Sequence, residues 1–337
     1  MDFAVSPTHT GWQRLLAAGL SVLAVATGCS APAHDAVTPT AETLAGGTIG
    51  KDIDLSGAQL AVGSKEFTEQ KILGKIMLYS LQAAGATVMD RTGLSGSNIA
   101  RTALKNGDID MYWEYAGTGW SLFLKNEKPV VGMREQFDAV AREDETRNQI
   151  TWLGPAKFGN QYAVARRSDA TGPLAEVHSL SQLRDHFRQY PDEATFCGAA
   201  EFLDREFAGF QNAYDIRFPT SQVYQNDFAL NFVNAAKGSP CNFAEVFTTD
   251  ARIKSLDLKV LRDDRNYFFT QLAGLTVRSE TREKYPQLGE LARRLGSALT
   301  EDTVIELNSM VDLDGATADQ AALHFLRTRG FIANPSV

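Results

Sequence analysis

Histidine and cysteine are scarce in this 337-residue chain, which contains five His and three Cys. The sequence has no His-Glu-x-x-His pattern and no cluster of cysteines, so the common zinc-ligand spacings are missing. It also lacks the Gly-x-Ser-x-Gly turn that presents a nucleophilic serine. These absences argue against metal-dependent or serine hydrolysis, and they predict no metal or cofactor. An enzyme of another kind remains an alternative, because a fold does not fix a function.

Long runs of charge or of apolar residues are also missing from most of the chain. The net charge is −8 without extended acidic stretches, which favours solubility and argues against nucleic-acid binding. After the first thirty residues, no stretch stays apolar for the roughly 20 residues that a membrane helix needs. The composition, 44% hydrophobic and 22% charged, is that of a globular protein with length for about two domains.

The first residues differ from the rest and resemble a bacterial lipoprotein signal. Arg14 precedes an apolar run, Leu15–Ala26, which ends in small residues directly before Cys29. We therefore predict a signal peptide over 1–28 and lipidation of Cys29, which would anchor an extracytoplasmic protein to the membrane by lipid alone. An ordinary cleaved signal with a chance cysteine is the alternative. Residues 29–52 are small and polar, and they predict a flexible tether.

Two further cysteines, Cys197 and Cys241, remain in the predicted exported part. An even number of cysteines in an exported protein indicates a disulfide. Two buried thiols are the alternative, because the sequence does not give the distance between the two Cα atoms.

Strand and helix patterns alternate along the chain. Gln59–Val62 and Thr87–Met89 read as strands, with an amphipathic helix over Thr68–Ala84 between them. A third strand is predicted over Asp108–Trp113. This alternation predicts α/β domains with a largely parallel sheet.

The chain divides into two predicted lobes. Lobe 1 takes residues 53–157 plus 265–337, and lobe 2 takes residues 158–264. A chain that leaves one lobe and returns to it crosses twice, which creates a hinge and a cleft between the lobes. Such clefts are preferred sites for small ligands.

Four segments resemble the binding proteins of ABC importers for glycine betaine, choline and carnitine. They run in the same order as in that family and span residues 58–332. The segments are Gly63–Gln70 (GSKEFTEQ), Leu104–Gly119 (LKNGDIDMYWEYAGTG), Phe247–Arg252 (FTTDAR) with Leu256–Asp264, and Leu307–Asn308 with Val311–Asp312.

The resemblance implies a two-lobed periplasmic-binding-protein-like fold of type II, with a ligand cleft between the lobes. It implies a solute-binding component of an ABC importer, with a small quaternary-ammonium ligand and ABC permease subunits as partners. A trimethylammonium group has no N–H to donate, so aromatic faces recognise it through cation–π contacts of about 0.5–2 kcal/mol per ring. A ligand-sensing receptor subunit remains an alternative.

By the same resemblance, Tyr115 and Tyr162 are walls of an aromatic cage, and Tyr224 and Phe247 are further cage candidates. The backbone of Asn160 is expected to face the cation. Core packing of single aromatic residues is the alternative reading, and it weighs most for Tyr224.

A ligand carboxylate would need hydroxyl or cationic partners. The resemblance implies Thr118, Lys65 and Arg205 for this role, with Lys65 opening the first helix. For Arg205 the alternative is an ion pair with Glu201 or Asp204 on a solvated helix face. A ligand such as choline would leave these cations without a carboxylate to bind.

Overall fold

The computed structural model describes residues 44–128, 130, 132–269 and 271–334. The predicted signal peptide, the predicted lipidation site Cys29 and the first part of the predicted tether lie outside these residues. The strands are β1 Gln59–Lys65, β2 Thr87–Leu94, β3 Met111–Tyr115, β4 Ile150–Leu153, β5 Tyr162–Arg167, β6 Phe196–Gly198, β7 Val223–Gln225, β8 Phe243–Phe247, β9 Leu258–Val260 and β10 Ala273–Arg278. The α-helices are α1 Thr48–Asp52, α2 Thr68–Ala83, α3 Ser97–Asn106, α4 Ala116–Thr118, α5 Met133–Asn148, α6 Gln182–Gln189, α7 Ala200–Arg205, α8 Phe207–Tyr214, α9 Phe228–Lys237, α10 Arg252–Ser255, α11 Ser279–Lys284, α12 Gln287–Ala298, α13 Glu301–Asp312 and α14 Ala318–Thr328.

The described strands form two five-stranded sheets, one in each lobe. The lobe 1 sheet has the order β2-β1-β3-β10-β4, and the lobe 2 sheet has the order β7-β6-β8-β5-β9. The chain therefore folds as two α/β lobes, as the sequence predicted. The chain changes sheet between β4 and β5 and again between β9 and β10, and the predicted residue boundaries of the lobes stay a prediction.

Both sheets are mixed: in each one four strands run in the same direction and one strand is reversed, so the prediction of a largely parallel sheet holds except for that strand. In lobe 1, β1 runs parallel to β2 and β3, whereas β10 runs antiparallel to β3 and β4. In lobe 2, β6 runs parallel to β7 and β8, whereas β5 runs antiparallel to β8 and β9. The reversed strands, β5 and β10, are the ones that the chain enters directly after crossing from one lobe to the other.

The two crossing segments lie side by side. Gly159, between β4 and β5, bridges to Leu272, which precedes β10. The backbone N–H of Asn160 donates to the carbonyl of Gln271 at 3.3 Å, and that of Ala156 donates to Ala273 at 2.8 Å. Backbone hydrogen bonds between the crossings thus hold together the region that joins the lobes.

Each lobe has its own apolar core. In lobe 1, α2 places Ile72, Leu73 and Ile76 against the sheet at helical spacing. The lobe 2 core is rich in rings, with Phe196 and Phe243 fully buried in it. Gly107 ends α3 in the left-handed conformation at φ +84°, where a glycine carries no steric penalty.

The predicted tether, 29–52, needs a correction over its last residues. Leu44 and Ile49 are buried, and 48–52 form the short helix α1. Ile49 donates its backbone N–H to the carbonyl of Phe331 at 3.2 Å. Small polar residues suggested that the segment could not bury a core, but these two aliphatic side chains are enough to fix it to lobe 1.

Residues 279–298 form two helices, α11 and α12, with Tyr285 and Pro286 between them. Proline has no N–H, and it disfavours helical backbone in the residue before it. Tyr285 accordingly has φ −126° and ψ 73°. Among the described residues, we find no helix with the length and apolar content needed to span a bilayer.

Candidate functional site

A series of aromatic rings runs from lobe 1 to lobe 2. Tyr115 closes β3, and the ring of Phe67, which follows β1, stacks 6.3 Å from it. Phe67 in turn lies 5.4 Å from Phe247, which ends β8 in lobe 2. Tyr162 and Phe247 are directly opposite each other in the antiparallel β5–β8 pair, with ring centroids 5.0 Å apart. We call Phe67, Tyr115, Tyr162 and Phe247, together with Phe228, the ring cluster.

Phe228 extends the ring cluster at the start of α9. Its centroid lies 4.6 Å from that of Phe247. The structure therefore brings three of the predicted cage residues, Tyr115, Tyr162 and Phe247, into one continuous set of rings. Their roles toward a ligand stay a prediction.

The carboxyl group of Glu69 lies next to the ring cluster and accepts four hydrogen bonds. Its Oε1 accepts from the phenol of Tyr115 at 2.5 Å and from Nδ2 of Asn160 at 3.0 Å. Its Oε2 accepts from the hydroxyl of Thr249 at 2.6 Å and from Nδ2 of Asn308 at 3.3 Å. We call these five residues the Glu69 network.

Burial raises the pKa values of two residues in the Glu69 network, Glu69 and Tyr115. Only 3% of Glu69 is exposed, and this burial raises the pKa of its carboxyl group, while hydrogen bonds from Thr249, Tyr115, Asn308 and Asn160 oppose the rise. Burial and the adjacent Glu69 charge raise the pKa of the Tyr115 phenol well above its usual value. Tyr115 is therefore a neutral hydrogen-bond donor at physiological pH.

A small cavity of about 20 Å³ lies beside the ring cluster and the Glu69 network. This is room for roughly one water molecule. A trimethylammonium group has four non-hydrogen atoms, so a ligand of this class requires the surrounding side chains to move apart. The cavity wall carries three carboxyl groups, of Glu69, Asp250 and Asp312, and one guanidinium, of Arg252.

Arg252 connects the lobes at this cavity. Its guanidinium pairs with Asp250 of the same lobe at 2.6 Å and lies 3.6 Å from Asp312 on α13 of lobe 1. It also lies 4.4 Å from the ring centroid of Phe232. With three carboxyl groups around one guanidinium, the wall has an excess of groups that attract a cation.

Lys65 ends β1 rather than opening the first helix, which begins at Thr68, so that part of the prediction is wrong. β1 continues through Lys65 because its backbone still pairs with Leu94 of β2. The ammonium lies 2.6 Å from Oε1 of Glu114 in a buried ion pair, and 5.1 Å from the ring centroid of Tyr115. Its predicted role with a ligand carboxylate stays a prediction.

Arg205 ends α7, and its guanidinium lies 2.7 Å from Oε1 of Glu201. Burial alone would raise the pKa of Glu201, but the positive charges of Lys65 and Arg205, together with hydrogen bonds from Ser97 and Arg205, lower this pKa. Lys65 and Arg205 are the two cations predicted to bind a ligand carboxylate. From opposite lobes, both lower the pKa of the Glu201 carboxyl group.

Thr118 and Asn160 both border the crossing segments. Thr118 is buried in α4, where its backbone N–H donates to Oε1 of Gln271 at 3.1 Å. Asn160 is buried as well, with its side chain in the Glu69 network. The sequence predicted a role for the Asn160 backbone, and the contact made with the site in this structure comes from its side chain.

Tyr224 lies on β7 at the edge of the lobe 2 sheet. It is paired with Cys197 of β6 and packs on the apolar cluster that contains Cys197 and Cys241. These two cysteines form a disulfide, with their Cα atoms 5.7 Å apart. The alternative of two separate thiols is not what the structure contains.

Sequence reasoning named the segments of the site but missed several of its residues. Phe67, Glu69, Thr249 and Asn308 all lie within the four segments that carry the family resemblance. Glu69 offered a signal, because it occupies the same helical face as the buried Ile72, Leu73 and Ile76. A carboxyl group on an apolar face needs hydrogen-bond partners, which marks it as a site residue. Phe228 lies outside those segments.

Two α/β lobes joined by two crossings, with aromatic rings and a buried carboxyl group between them, define a solute-binding protein of the periplasmic type. The family described as "Substrate binding domain of ABC-type glycine betaine transport system" matches residues 58–328. The chain belongs to this family. Substrate-binding proteins of ABC importers act outside the cytoplasm and bind their solute for transport.

Relatives agree with this assignment. The chain is 32% identical over 280 residues to a Pseudomonas aeruginosa protein named glycine-betaine-binding protein, covering 80% of this chain and 87% of the relative. It is 31% identical over 274 residues to a Helicobacter pylori ergothioneine transport permease/ergothioneine binding protein, EgtU, covering 80% of this chain. The chain spans about half of that relative, 48% of its length.

Solved structures agree with the fold. The unliganded structure of YehZ from Escherichia coli is 26% identical, with a TM-score of 0.61, covering 82% of this chain and 100% of that one. A glycine betaine/carnitine/choline ABC transporter structure has a TM-score of 0.64 at 21% identity, covering 81% of this chain and 99% of that one.

Proposed function

We propose that this chain captures a small quaternary-ammonium solute, such as glycine betaine, choline or carnitine, and presents it to ABC permease subunits. The observation that carries the proposal is the ring cluster, which joins Tyr115 in lobe 1 to Tyr162 in lobe 2 through Phe67 and Phe247. A methylated ammonium cannot hydrogen-bond, so π-electron faces are its natural partners.

In this proposal the rings separate to admit the cation and enclose it from both sides. The excess of carboxyl groups over cations at the cavity, from Glu69, Asp250 and Asp312, favours a positive charge. For a ligand that carries a carboxylate, Lys65, Thr118 and Arg205 supply the binding groups. Because the binding groups come from both lobes, ligand favours the closed form over the open one.

The proposal includes the membrane attachment. Cys29 carries the lipid that holds the protein at the outer face of the cell membrane, and 30–43 connect the lipid to lobe 1. The small residues before Cys29 and the preceding apolar run support this. Metabolic labelling with a radioactive fatty acid, compared between the wild type and Cys29→Ala, tests it: label that persists in the variant contradicts lipidation at Cys29.

Calorimetric titration of the purified domain tests the ligand class. Choline and ethanolamine form a matched pair, because they differ only in the three methyl groups on nitrogen. We expect choline, glycine betaine or carnitine to bind at least tenfold more tightly than ethanolamine, about 1.4 kcal/mol. Equal affinity for choline and ethanolamine, or no binding of any methylated compound, would rule out recognition by the ring cluster.

A further inference from the structure

The Glu69 network draws its donors from two parts of the molecule. Glu69 on α2, Tyr115 at the end of β3 and Asn308 on α13 belong to lobe 1. Thr249 follows β8 of lobe 2, and Asn160 lies on the crossing segment that leads into β5. Each carboxyl oxygen therefore accepts one hydrogen bond from lobe 1 and one from outside it.

The same region holds two further contacts between the lobes. Nδ2 of Asn308 also donates to the backbone carbonyl of Thr249 at 3.2 Å. The guanidinium of Arg252 lies 3.6 Å from Asp312. Glu69 thus sits at the centre of a polar contact that exists only when the lobes are together.

Separation of the lobes would remove half of the donors to Glu69. A carboxyl group that is 3% exposed pays a desolvation cost that its hydrogen bonds must offset. In a separated form, Tyr115 and Asn308 would remain as protein donors, and water would replace Thr249 and Asn160. Each hydrogen bond to the buried carboxyl group offsets part of that cost, so the two donors from outside lobe 1 favour the closed form.

Glu69 also orients a ring of the cluster. The phenol of Tyr115 donates to the same Oε1 atom that accepts from Asn160. The Tyr115 ring is consequently tied to a carboxyl group that also accepts from Asn160 on the crossing segment and, through Oε2, from Thr249 of lobe 2.

We propose that Glu69 is a positioning residue that couples closure of the two lobes to the orientation of Tyr115. This role rests on the proposed function only in naming Tyr115 as a ligand-binding ring. Closure completes the hydrogen bonds of Glu69, and the completed set fixes the ring against which the solute packs. Glu69 thereby sets how long a captured solute stays bound, without itself being required for recognition of the methyl groups.

Two variants and one control test the role. Glu69→Gln places an NH₂ donor where the network supplies only donors, and Thr249→Val removes one hydrogen bond between the lobes while keeping the side-chain volume. Thr276→Val is the matched control, because its buried hydroxyl donates to the Tyr112 carbonyl at 2.8 Å, entirely within the lobe 1 sheet. Circular dichroism and urea unfolding verify that each protein is folded.

Lobe closure is measured without ligand, by small-angle scattering and by energy transfer between one dye on each lobe. We expect Glu69→Gln and Thr249→Val to lower the ratio of closed to open protein at least tenfold, whereas Thr276→Val keeps the wild-type ratio. With a bound quaternary ammonium, the same two variants should raise the dissociation rate at least tenfold. A merely structural role would lower stability without changing the lobe distance.

The outcomes separate this inference from the proposed function. Unchanged lobe distances in both folded variants would overturn the role of Glu69, even if quaternary ammonium compounds bind. Opening of both variants supports it, even if the ligand panel shows that the proposed ligand class is wrong. If Glu69→Gln does not fold, Thr249→Val still tests the role, because it leaves the carboxyl group of Glu69 in place.

Discussion

The rings of Phe67 and Phe247 lie 5.4 Å apart and form the aromatic contact between the two lobes that links Tyr115 to Tyr162. Phe67 follows β1 in lobe 1, whereas Phe247 ends β8 in lobe 2. Neither ring is fully buried.

Replacing Phe67 tests whether this contact serves ligand binding. Phe67→Ala should weaken binding of the preferred quaternary ammonium by about tenfold, because it removes one cation–π face and loosens closure. Phe331→Ala is the matched control, since Phe331 is a partly buried ring that packs on Phe325, 6.0 Å away. Calorimetry provides both affinities, and equal losses in the two variants would contradict a specific role.

Tyr115 combines a ring with a hydrogen bond, and two substitutions separate them. Tyr115→Ala removes both and should weaken binding by tenfold or more, about 1.4 kcal/mol. Tyr115→Phe keeps the ring and loses only the donation to Glu69, so its affinity should fall between those of Tyr115→Ala and the wild type. An unchanged affinity of Tyr115→Ala for betaine and choline would exclude Tyr115 from the cage.

Glu245 makes stability depend on pH. It is 1% exposed on β8, and burial, aided by the charge of Glu201, raises its pKa from 4.5 to about 8 against hydrogen bonds from Ala199 and Asn231. The folded state thus holds a proton that the unfolded state releases near pH 4.5, so stability falls as pH rises from about 4.5 to 8.

Glu245→Gln should remove this dependence. At about 1.4 kcal/mol per pKa unit, the variant should gain on the order of a few kcal/mol over the wild type between pH 5 and pH 8. Urea unfolding at the two pH values measures the gain. Parallel pH profiles of the two proteins would mean that Glu245 is not protonated in the folded state.

The Cys197–Cys241 disulfide should contribute strongly to the stability of lobe 2. It closes a loop with a sequence separation of 44 residues, for which chain entropy predicts about 4 kcal/mol. The double replacement Cys197→Ser with Cys241→Ser should lower the free energy of unfolding by roughly this amount. Reduction of the wild type with dithiothreitol should have a similar effect, and resistance to both treatments would contradict the prediction.

Ile49 tests whether the end of the predicted tether is part of the folded domain. Its side chain is fully buried against lobe 1, so Ile49→Ala should cost about 2–5 kcal/mol in the free energy of unfolding. Lys51→Ala in the same short helix is the control, because Lys51 is exposed and should change stability by less than about 0.5 kcal/mol. Similar unfolding curves for both variants would show that residues near Ile49 are not fixed to the core.

The sequence predicted the order of strands and helices because apolar spacing records which face of each element is buried. α2 follows its predicted limits closely, since apolar residues recur at helical intervals and Gly85 follows shortly after its end. Apolar spacing does not indicate the direction of a strand in its sheet. The antiparallel placement of β5 and β10 depends on pairing between residues that are far apart in the chain. That is why the sequence did not predict the one reversed strand in each sheet.

For the site, the resemblance located the segments but not the pairings within them. Tyr162 and Phe247 meet because of a strand register that their own segments do not encode. The role of Glu69 was not predicted, because a carboxylate in the first turn of a helix is common at protein surfaces. In the structure, four donors from distant segments surround its carboxyl group. The resemblance predicts Tyr224 as a further cage ring, and the strand order that places β7 at the edge of its sheet is not encoded in that segment.

The early helix α1 is pinned to the residues after α14, with Thr48 donating its N–H to Gly330 at 3.0 Å and Ile49 donating to Phe331 at 3.2 Å. An affinity tag, a fluorescent protein or a glass support that is attached near α1 or near Phe331 is therefore connected to lobe 1. The proposed closing movement of lobe 2 can then be followed in immobilised or single-molecule measurements without a load on that lobe. A sensor built on this chain should accordingly carry its second reporter within lobe 2 and not at the opposite terminus.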